Sequence, residues 1–312
     1  MKTGKSKSDT RRRAKAAWFA LIVIAATAAG MFAAWRAPGL NLYAQDQLMR
    51  FRGILPEPDD IVIVAIDDAS VAKIGRFPWS RTYTAQILDK ISAAQPKAIA
   101  LDVIYSEPTD EAADRALADA IKRAGNVAVG EQLIEDRYAP ELSRAEWLKS
   151  LPAIETAAAG TGHVNVETET DGAARELLLR LADDEGEPRW ALAIETVRVG
   201  DSLNSDAVNE TSRFVRIGTR KIPFTAAEHN LLIKNKDEKS RQTTVQPLRM
   251  TIDYIGPTGA FAAQTYSFAD VLDGKISPEK FRGKYVLIGA TAATLGDRIA
   301  TPFVHTDNLE GD

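Results

Sequence analysis

From Ala16 to Trp35 the chain carries twenty consecutive uncharged residues, AAWFALIVIAATAAGMFAAW, between Lys15 and Arg36. Coiled as a helix at about 1.5 Å per residue, this run matches a hydrocarbon core of about 30 Å. Lys2, Lys5, Lys7, Arg11, Arg12, Arg13 and Lys15 precede it, against a single Asp9. Basic flanks stay on the cytoplasmic side, so the pattern predicts one membrane crossing with the N-terminus inside and the main body outside. Trp18 and Trp35 stand near the two ends, where interfacial aromatics belong. Two alternatives compete. Ala26-Thr27-Ala28 has the form of a signal-peptide cleavage site, although the apolar stretch is long for such a signal. A buried core helix is the other, and the seven flanking bases argue against it. No other segment approaches eighteen apolar residues, so a multi-span membrane protein is excluded.

The net charge of −4 conceals two opposite halves. Met1 to Arg36 carries eight bases and one acid, whereas the rest of the chain holds 31 bases against 42 acids. An acidic body argues against nucleic acid as a partner. There is no cysteine, which excludes disulfide scaffolds, thiolate metal sites and cysteine nucleophiles. With 45% apolar and 26% charged residues in 312, the chain has ample material for a core.

The body reads as one mixed α/β domain with a partly parallel sheet. Leu40 to Gly53 links the membrane to the first strand, with Arg50 and Arg52 placed to meet headgroups or acidic neighbours. Ile61–Ile66 (IVIVAI) and Ala98–Tyr105 (AIALDVIY) are apolar runs that predict strands buried on both faces. Between them Tyr83, Ile87, Leu88 and Ile91 recur at helical spacing. Leu117, Ala120, Ile121 and Ala124 predict an amphipathic helix ended by Gly125, and Val127–Val129 a third strand. Such alternation implies a parallel sheet. The middle is more antiparallel: His163–Val166, Leu177–Leu181 and the Phe214–Phe224 hairpin are short strands, and Trp190, Ala193, Ile194 and Val197 mark a helix. Lys234–Arg241 reads as a solvated loop. Leu248, Met250, Ile252 and Tyr254 alternate with polar residues as in a half-wet strand. Ser267 with Asp270 predicts a capping box, and Val286–Ile288 the last buried strand.

Motifs for catalysis are scarce. The chain has no P-loop and no G-x-S-x-G elbow, and Gly160-Thr161-Gly162 lacks the third glycine of a dinucleotide fingerprint. His163, His229 and His305 show no zinc-ligand spacing, so neither a metal nor a cofactor is expected. Asp67 and Asp68 end the first strand and Asp102 lies in the second. If those strands are neighbours, the three carboxylates share a crevice at the carboxyl edge of the sheet, where a hard cation or an amine would bind. Their structural alternative is to cap turns and pair with Arg76 or Arg81. A dehalogenase-type phosphatase would need a second Asp where Ala69 follows Asp67. In Gly75–Arg81 (GRFPWSR), Trp79 offers an amphipathic surface for a ligand or partner, or else plugs the core edge with an Arg as its clamp. Gly289-Ala290-Thr291 either presents amides to an anion or is a close-packed turn. The candidate ligand-binding residues are therefore Asp67, Asp68, Arg76, Trp79, Arg81, Asp102 and Thr291, with no catalytic residue among them.

These motifs occur in a telling order: DQLMRFRG, IVIVAIDDAS, IGRFPWSR and PKAIALDVIYSEP come first. Gly162-His163-Val164-Asn165, then Asp171-Gly172 with Arg175, then MTIDYIGP and GKYVLIGATAATLGDRIATP follow. Together they resemble the CHASE2 domain over roughly Leu40 to Phe303. The resemblance implies an extracytoplasmic sensor module of bacterial signalling proteins, joined through membrane helices to a cytoplasmic nucleotide cyclase, histidine or Ser/Thr kinase, or cyclic-di-GMP enzyme. It supplies no agreed ligand or catalytic residue. Family members usually return to the membrane after the terminal motif, whereas this chain stops a few residues past Pro302, so the expectation is the front part of a longer protein.

The expected organisation is a basic cytoplasmic tail (1–15), a membrane helix (16–35), a sensor body (40–305) and a short linker (306–312). The expected function is a non-enzymatic input domain in the inner membrane, periplasmic or extracellular in its body, answering a small molecule or a stress. A homodimer is expected, since the usual output enzymes act as dimers and Ala25, Ala26, Ala29 and Gly30 permit close helix approach. The rival expectations are a periplasmic metal hydrolase using Asp67, Asp68 and Asp102, and a membrane-anchored adaptor binding through GRFPWSR.

Overall fold

A computed structural model describes residues 7–36, 38–135, 145–183, 185–226, 247–296 and 298–303. The predicted loop Lys234–Arg241 and the linker 306–312 lie outside the described residues. The chain divides into two units, Met1–Gly53 and Ile54–Asp312.

In the first unit, α1 (Lys7–Arg36) is a helix of 30 residues. Its window Lys15–Phe32 has a mean hydropathy of 1.7 and no buried residue, which removes the core-helix alternative. Among the described residues it is the one helix long and apolar enough to cross a membrane. Thr27 donates its hydroxyl to the Val23 carbonyl at 2.8 Å, so its polar group needs no water. The expected linker is itself a helix, α2 (Pro38–Arg52). Proline is tolerated in a first helical turn, where its missing N–H has no partner to lose. Gly53, at φ 85°, ends the helix in a conformation costly for other residues.

The second unit is built on a seven-stranded sheet, and its first elements follow the predicted alternation. β1 (Ile61–Ile66) leads through α3 (Asp68–Ile74) and α4 (Arg81–Ser92) to β2 (Ala98–Asp102). Then come α5 (Glu111–Ala124), β3 (Val127–Glu135), β4 (Ala145–Leu148), α6 (Pro152–Ala157) and β5 (Gly160–His163). Asp110 caps α5 by accepting from the Ala113 amide at 2.8 Å. Gly125 closes it at φ 71°, donating its N–H to the Ile121 carbonyl.

The middle of the unit is antiparallel, as expected. It comprises β6 (Glu176–Ala182), β7 (Pro188–Trp190), α7 (Leu192–Gly200), β8 (Val208–Glu210), β9 (Phe214–Ile217), β10 (Arg220–Pro223), β11 (Thr225–Ala226) and β12 (Leu248–Thr251). These form a sheet β10-β9-β8 and a sheet β11-β12-β6-β7, sharing a core of Leu179, Ile194, Val215, Ile217 and Leu248. Trp190 belongs to β7 rather than to the helix that follows it.

The chain then returns to the large sheet with β13 (Thr265–Ser267), α8 (Phe268–Leu272) and β14 (Tyr285–Ala290). The order is β13-β1-β14-β2-β3, all parallel. β5 runs parallel along Ala128–Glu131 of β3, and β4 antiparallel along Gln132–Glu135. The first two predicted strands are therefore not neighbours, because β14 lies between them. Val286 and Ile288 are wholly buried in the main core on one face of the sheet, whereas Leu287 on the other face is 39% exposed.

Side-chain size sorts the two faces. Val62, Val64, Ile99, Leu101, Val127 and Val129 meet α4, α5, α6 and α8 in the main core. The alternate residues Ala98, Ala100 and Ala128 are small and let α7 pack closely through Leu192 and Val199. Gly162 meets the helix backbone itself: a Cβ there would stand 2.7 Å from Leu192 Cα. The strand expected at His163–Val166 accordingly runs earlier, over Gly160–His163. Asn165 replaces backbone pairing with its side chain, accepting from the Leu133 N–H and donating to the Leu133 carbonyl, both at 2.8 Å.

Candidate functional site

The parallel strands all end on one edge, where Ile66 is level with Ala290, and Gly289 with Asp102. Asp67, Asp68, Thr291 and Asp102 thus share the carboxyl edge of the sheet, but β14 separates the first pair from Asp102. Gly289 leaves room there, since a Cβ on it would lie 3.3 Å from Asp102 Cβ. Among the described residues no group of three acids or histidines is arranged to hold a metal ion.

Asp67 is engaged in a local lock. As N-cap of α3 it accepts from the Ser70 amide at 2.9 Å, and also from the Ser70 and Ser267 hydroxyls. Ser70 is fully buried, and its oxygen accepts from the Ala269 amide at 3.0 Å. One carboxylate therefore ties the ends of β1 and β13 to the start of α8. This overturns the capping box expected at Ser267: that hydroxyl serves Asp67 instead of its own helix, and Asp270 pairs with Lys275 at 2.7 Å. Asp68 lies at the exposed start of α3 and accepts from the Ala293 amide at 3.3 Å. Neither aspartate forms an ion pair with Arg76 or Arg81. Thr291 is exposed, and its amide and that of Ala292 both donate to the Ile66 carbonyl, at 3.1 and 3.0 Å. Those two amides are consumed in a turn rather than presented to an anion.

The GRFPWSR segment splits in direction. Arg76 is exposed, and the Phe77–Pro78 peptide is cis. Trp79 is half-buried, donating Nε1 to the Gly75 carbonyl at 2.6 Å. Its ring packs on Phe77 and Phe268, with centroids 5.3 and 5.1 Å away. Arg81 turns inward and is only 4% exposed. It donates to the Asp114 carboxylate and the Glu107 carbonyl, and covers the Tyr105 ring at 5.2 Å. Burial pushes the Tyr105 phenol up to about 12, and its oxygen shares a hydrogen bond with Thr84 Oγ1 at 2.8 Å. Burial also opposes ionisation of Asp114, but hydrogen bonds from Thr109 and Arg81 outweigh it and hold this carboxyl below its ordinary value. The exposed face of the loop is thus Arg76 with one side of Trp79, while Arg81 is a clamp beneath it.

Two further constellations come from motif residues. Arg175, 4% exposed, grips Asp171 through two hydrogen bonds of 2.9 and 2.7 Å. The guanidinium pulls the Asp171 carboxyl down to about 2. Around this pair the Ala174 amide donates to the Ala300 carbonyl, the Ile252 amide to the Arg175 carbonyl, and the Tyr254 hydroxyl to the Ala174 carbonyl. The DG-x-x-R, MTIDY and terminal IATP motifs therefore form one knot that fixes the end of the described chain to β6 and β12.

The second constellation is a buried polar seam that sequence reasoning missed. Glu131 on β3 and His163 on β5 are register partners, each 1% exposed. Trp147 on β4 stacks over the imidazole at 6.3 Å, and Arg189 Nε stands 3.3 Å from Glu131 Oε1. Burial pushes His163 down to about 4. It pushes Glu131 up, opposed by Arg189 and Lys149. An acid interrupting the apolar stretch VAVGEQLI was the available signal, but its pairing with a residue 32 positions later is invisible to spacing.

The edge can offer carboxylates and an exposed guanidinium to a polar ligand, and the deeply buried groups are organised to hold the fold. No curated protein and no solved structure gave a match to the chain. The family model of the CHASE2 domain, an extracytoplasmic sensor domain of signalling proteins, matches residues 18–311. Nearly the whole chain is covered, apolar helix and α/β body alike, and this protein belongs to the CHASE2 domain family.

Proposed function

We propose that this chain is the membrane-anchored input domain of a bacterial signal-transduction protein, with its N-terminus in the cytoplasm and its body outside the inner membrane. The observation that carries the reading is the apolar window Lys15–Phe32 of α1, which has no buried residue, together with the seven bases that stand before Ala16 and a body of the sensor family after it. The bilayer is its first partner. The stimulus is a small molecule or a physical stress, received at the body and relayed to a cytoplasmic enzyme. A nucleotide cyclase is the first expectation for that enzyme, followed by a cyclic-di-GMP enzyme or a kinase. A ligand shifts the body between two arrangements only by its differential affinity for them. The edge residues Asp68, Arg76, Trp79, Asp102 and Thr291 are the proposed ligand surface, with Asp67 and Arg81 supporting it from below. Homodimerisation along Ala25, Ala26, Ala29 and Gly30 of α1 would carry the signal through the membrane.

The topology is tested by fusing reporters after Asp312. Alkaline phosphatase, which needs the oxidising exterior, is expected to be active there, and a cytoplasm-dependent fluorescent reporter dark. A bright cytoplasmic reporter with inactive phosphatase would overturn the reading.

A further inference from the structure

Glu131 and His163 lie where β3 and β5 meet the end of β7, and His163 bridges directly to Ala191. Neither ring nitrogen of His163 has a hydrogen-bond partner, and neither Glu131 Oε1 nor Trp147 Nε1 has one. Buried polar atoms without partners are rare, and three such side chains in one place ask for a purpose. The seam joins the large sheet to the β11-β12-β6-β7 sheet, and the Arg189–Glu131 attraction is a charge contact across that join. The charged groups around the seam are Lys149 after β4, Glu155 on α6, Arg189 on β7 with Glu187 paired to it at 2.9 Å, and Glu195 on α7 with its partner Arg198. Glu195 and Arg198 already satisfy each other at 2.8 Å, and Arg198 also donates to the Ala159 carbonyl.

We propose that Glu131 and His163 form a buried proton-binding site that loosens this seam when the surroundings turn acidic. It is a property of the folded body and stands whether or not the topology above holds. At neutral pH the imidazole is uncharged and Glu131 faces Arg189. Acidification adds a proton to the carboxylate, which removes one of the two carboxylates that Arg189 faces and leaves it paired with Glu187 at 2.9 Å. A further proton then makes an imidazolium at a ring that is 1% exposed, where burial opposes its charge. The two protons act oppositely on folding. His163 binds its proton more weakly folded than unfolded, so the stability it contributes is complete above its unfolded value of 6.5 and is lost as pH falls towards 4. Glu131, whose folded value is raised, regains part of that loss in acid. Between those two values, His163 alone lowers the folded-to-unfolded ratio about 30-fold at pH 5.

The test uses the full chain in lipid nanodiscs. Histidine ring resonances of the wild type, assigned with His229→Gln and His305→Gln, are followed from pH 8 to 3.5. One ring, that of His163, is expected to stay neutral to near pH 4; all three titrating near 6.5 would overturn the proposal. Urea unfolding at pH 7 and pH 5 is then compared among wild type, His163→Gln and Glu131→Gln. The acid loss is expected to shrink in His163→Gln and to deepen in Glu131→Gln, where the offset is gone. Equal losses in all three would refute the site. Should His163→Gln fail to fold, the wild-type ring titration decides alone.

Discussion

Replacing Arg81 by Met separates a structural clamp from a ligand-binding arginine. Met keeps the length of the stem, and the site is 4% exposed, so packing changes little. What is lost is the ion pair with Asp114, the hydrogen bond to the Glu107 carbonyl and the cover over Tyr105. Breaking one partner out of a buried ion pair costs about 3–5 kcal/mol when the other charge is stranded. Asp114 is not fully stranded, because its side chain is 14% exposed and Thr109 still donates from its amide at 3.2 Å and its hydroxyl at 3.0 Å. That lowers the expectation to about 2–3 kcal/mol, to which the cation–π contact adds about 0.5–1 kcal/mol. Urea unfolding of the chain in nanodiscs, followed by tryptophan fluorescence, measures the loss. Asp114→Asn and the double variant complete a cycle, with an expected coupling of about 1–2 kcal/mol. An Arg81→Met variant within about 0.5 kcal/mol of wild type, or a cycle that closes additively, would refute the clamp and return Arg81 to the ligand surface.

Two other expectations follow from the edge and the knot. Asp67→Ala removes a helix cap and leaves the buried Ser70 hydroxyl only the Ser267 oxygen, 2.9 Å away, as acceptor, for a loss of about 1–2 kcal/mol. Asp68→Ala, at an exposed position, is expected to cost under about 0.5 kcal/mol in the same assay; equal losses would contradict the division of roles. The Asp171–Arg175 pair contributes stability that is complete above the ordinary carboxyl value of 3.8 and is lost as pH falls towards 2. Asp171→Asn is therefore expected to flatten the acid limb of a stability profile between pH 4 and 2, and an unchanged limb would count against the knot.

Local chemistry was legible before any coordinates. The apolar run of α1, the 3.6-residue period of α4 and α5, the Gly125 stop and the strands β1, β2 and β14 depend on neighbours within a turn or two, so they are written in short stretches of sequence. The order of motifs likewise sufficed to suggest the family. Sheet order was different. Whether β2 or β14 lies beside β1 depends on pairing between residues more than two hundred positions apart, which no local pattern encodes. The same distance hid the fate of polar groups. Ser267 reads locally as a cap for α8 but is spent on Asp67, because β13 delivers its hydroxyl to the end of β1. Glu131 interrupts an apolar stretch and His163 sits in a motif, but only strand pairing places the two together away from water. Periodicity and charge are carried by the chain itself; which buried partner a polar side chain meets is decided only when distant strands are laid side by side.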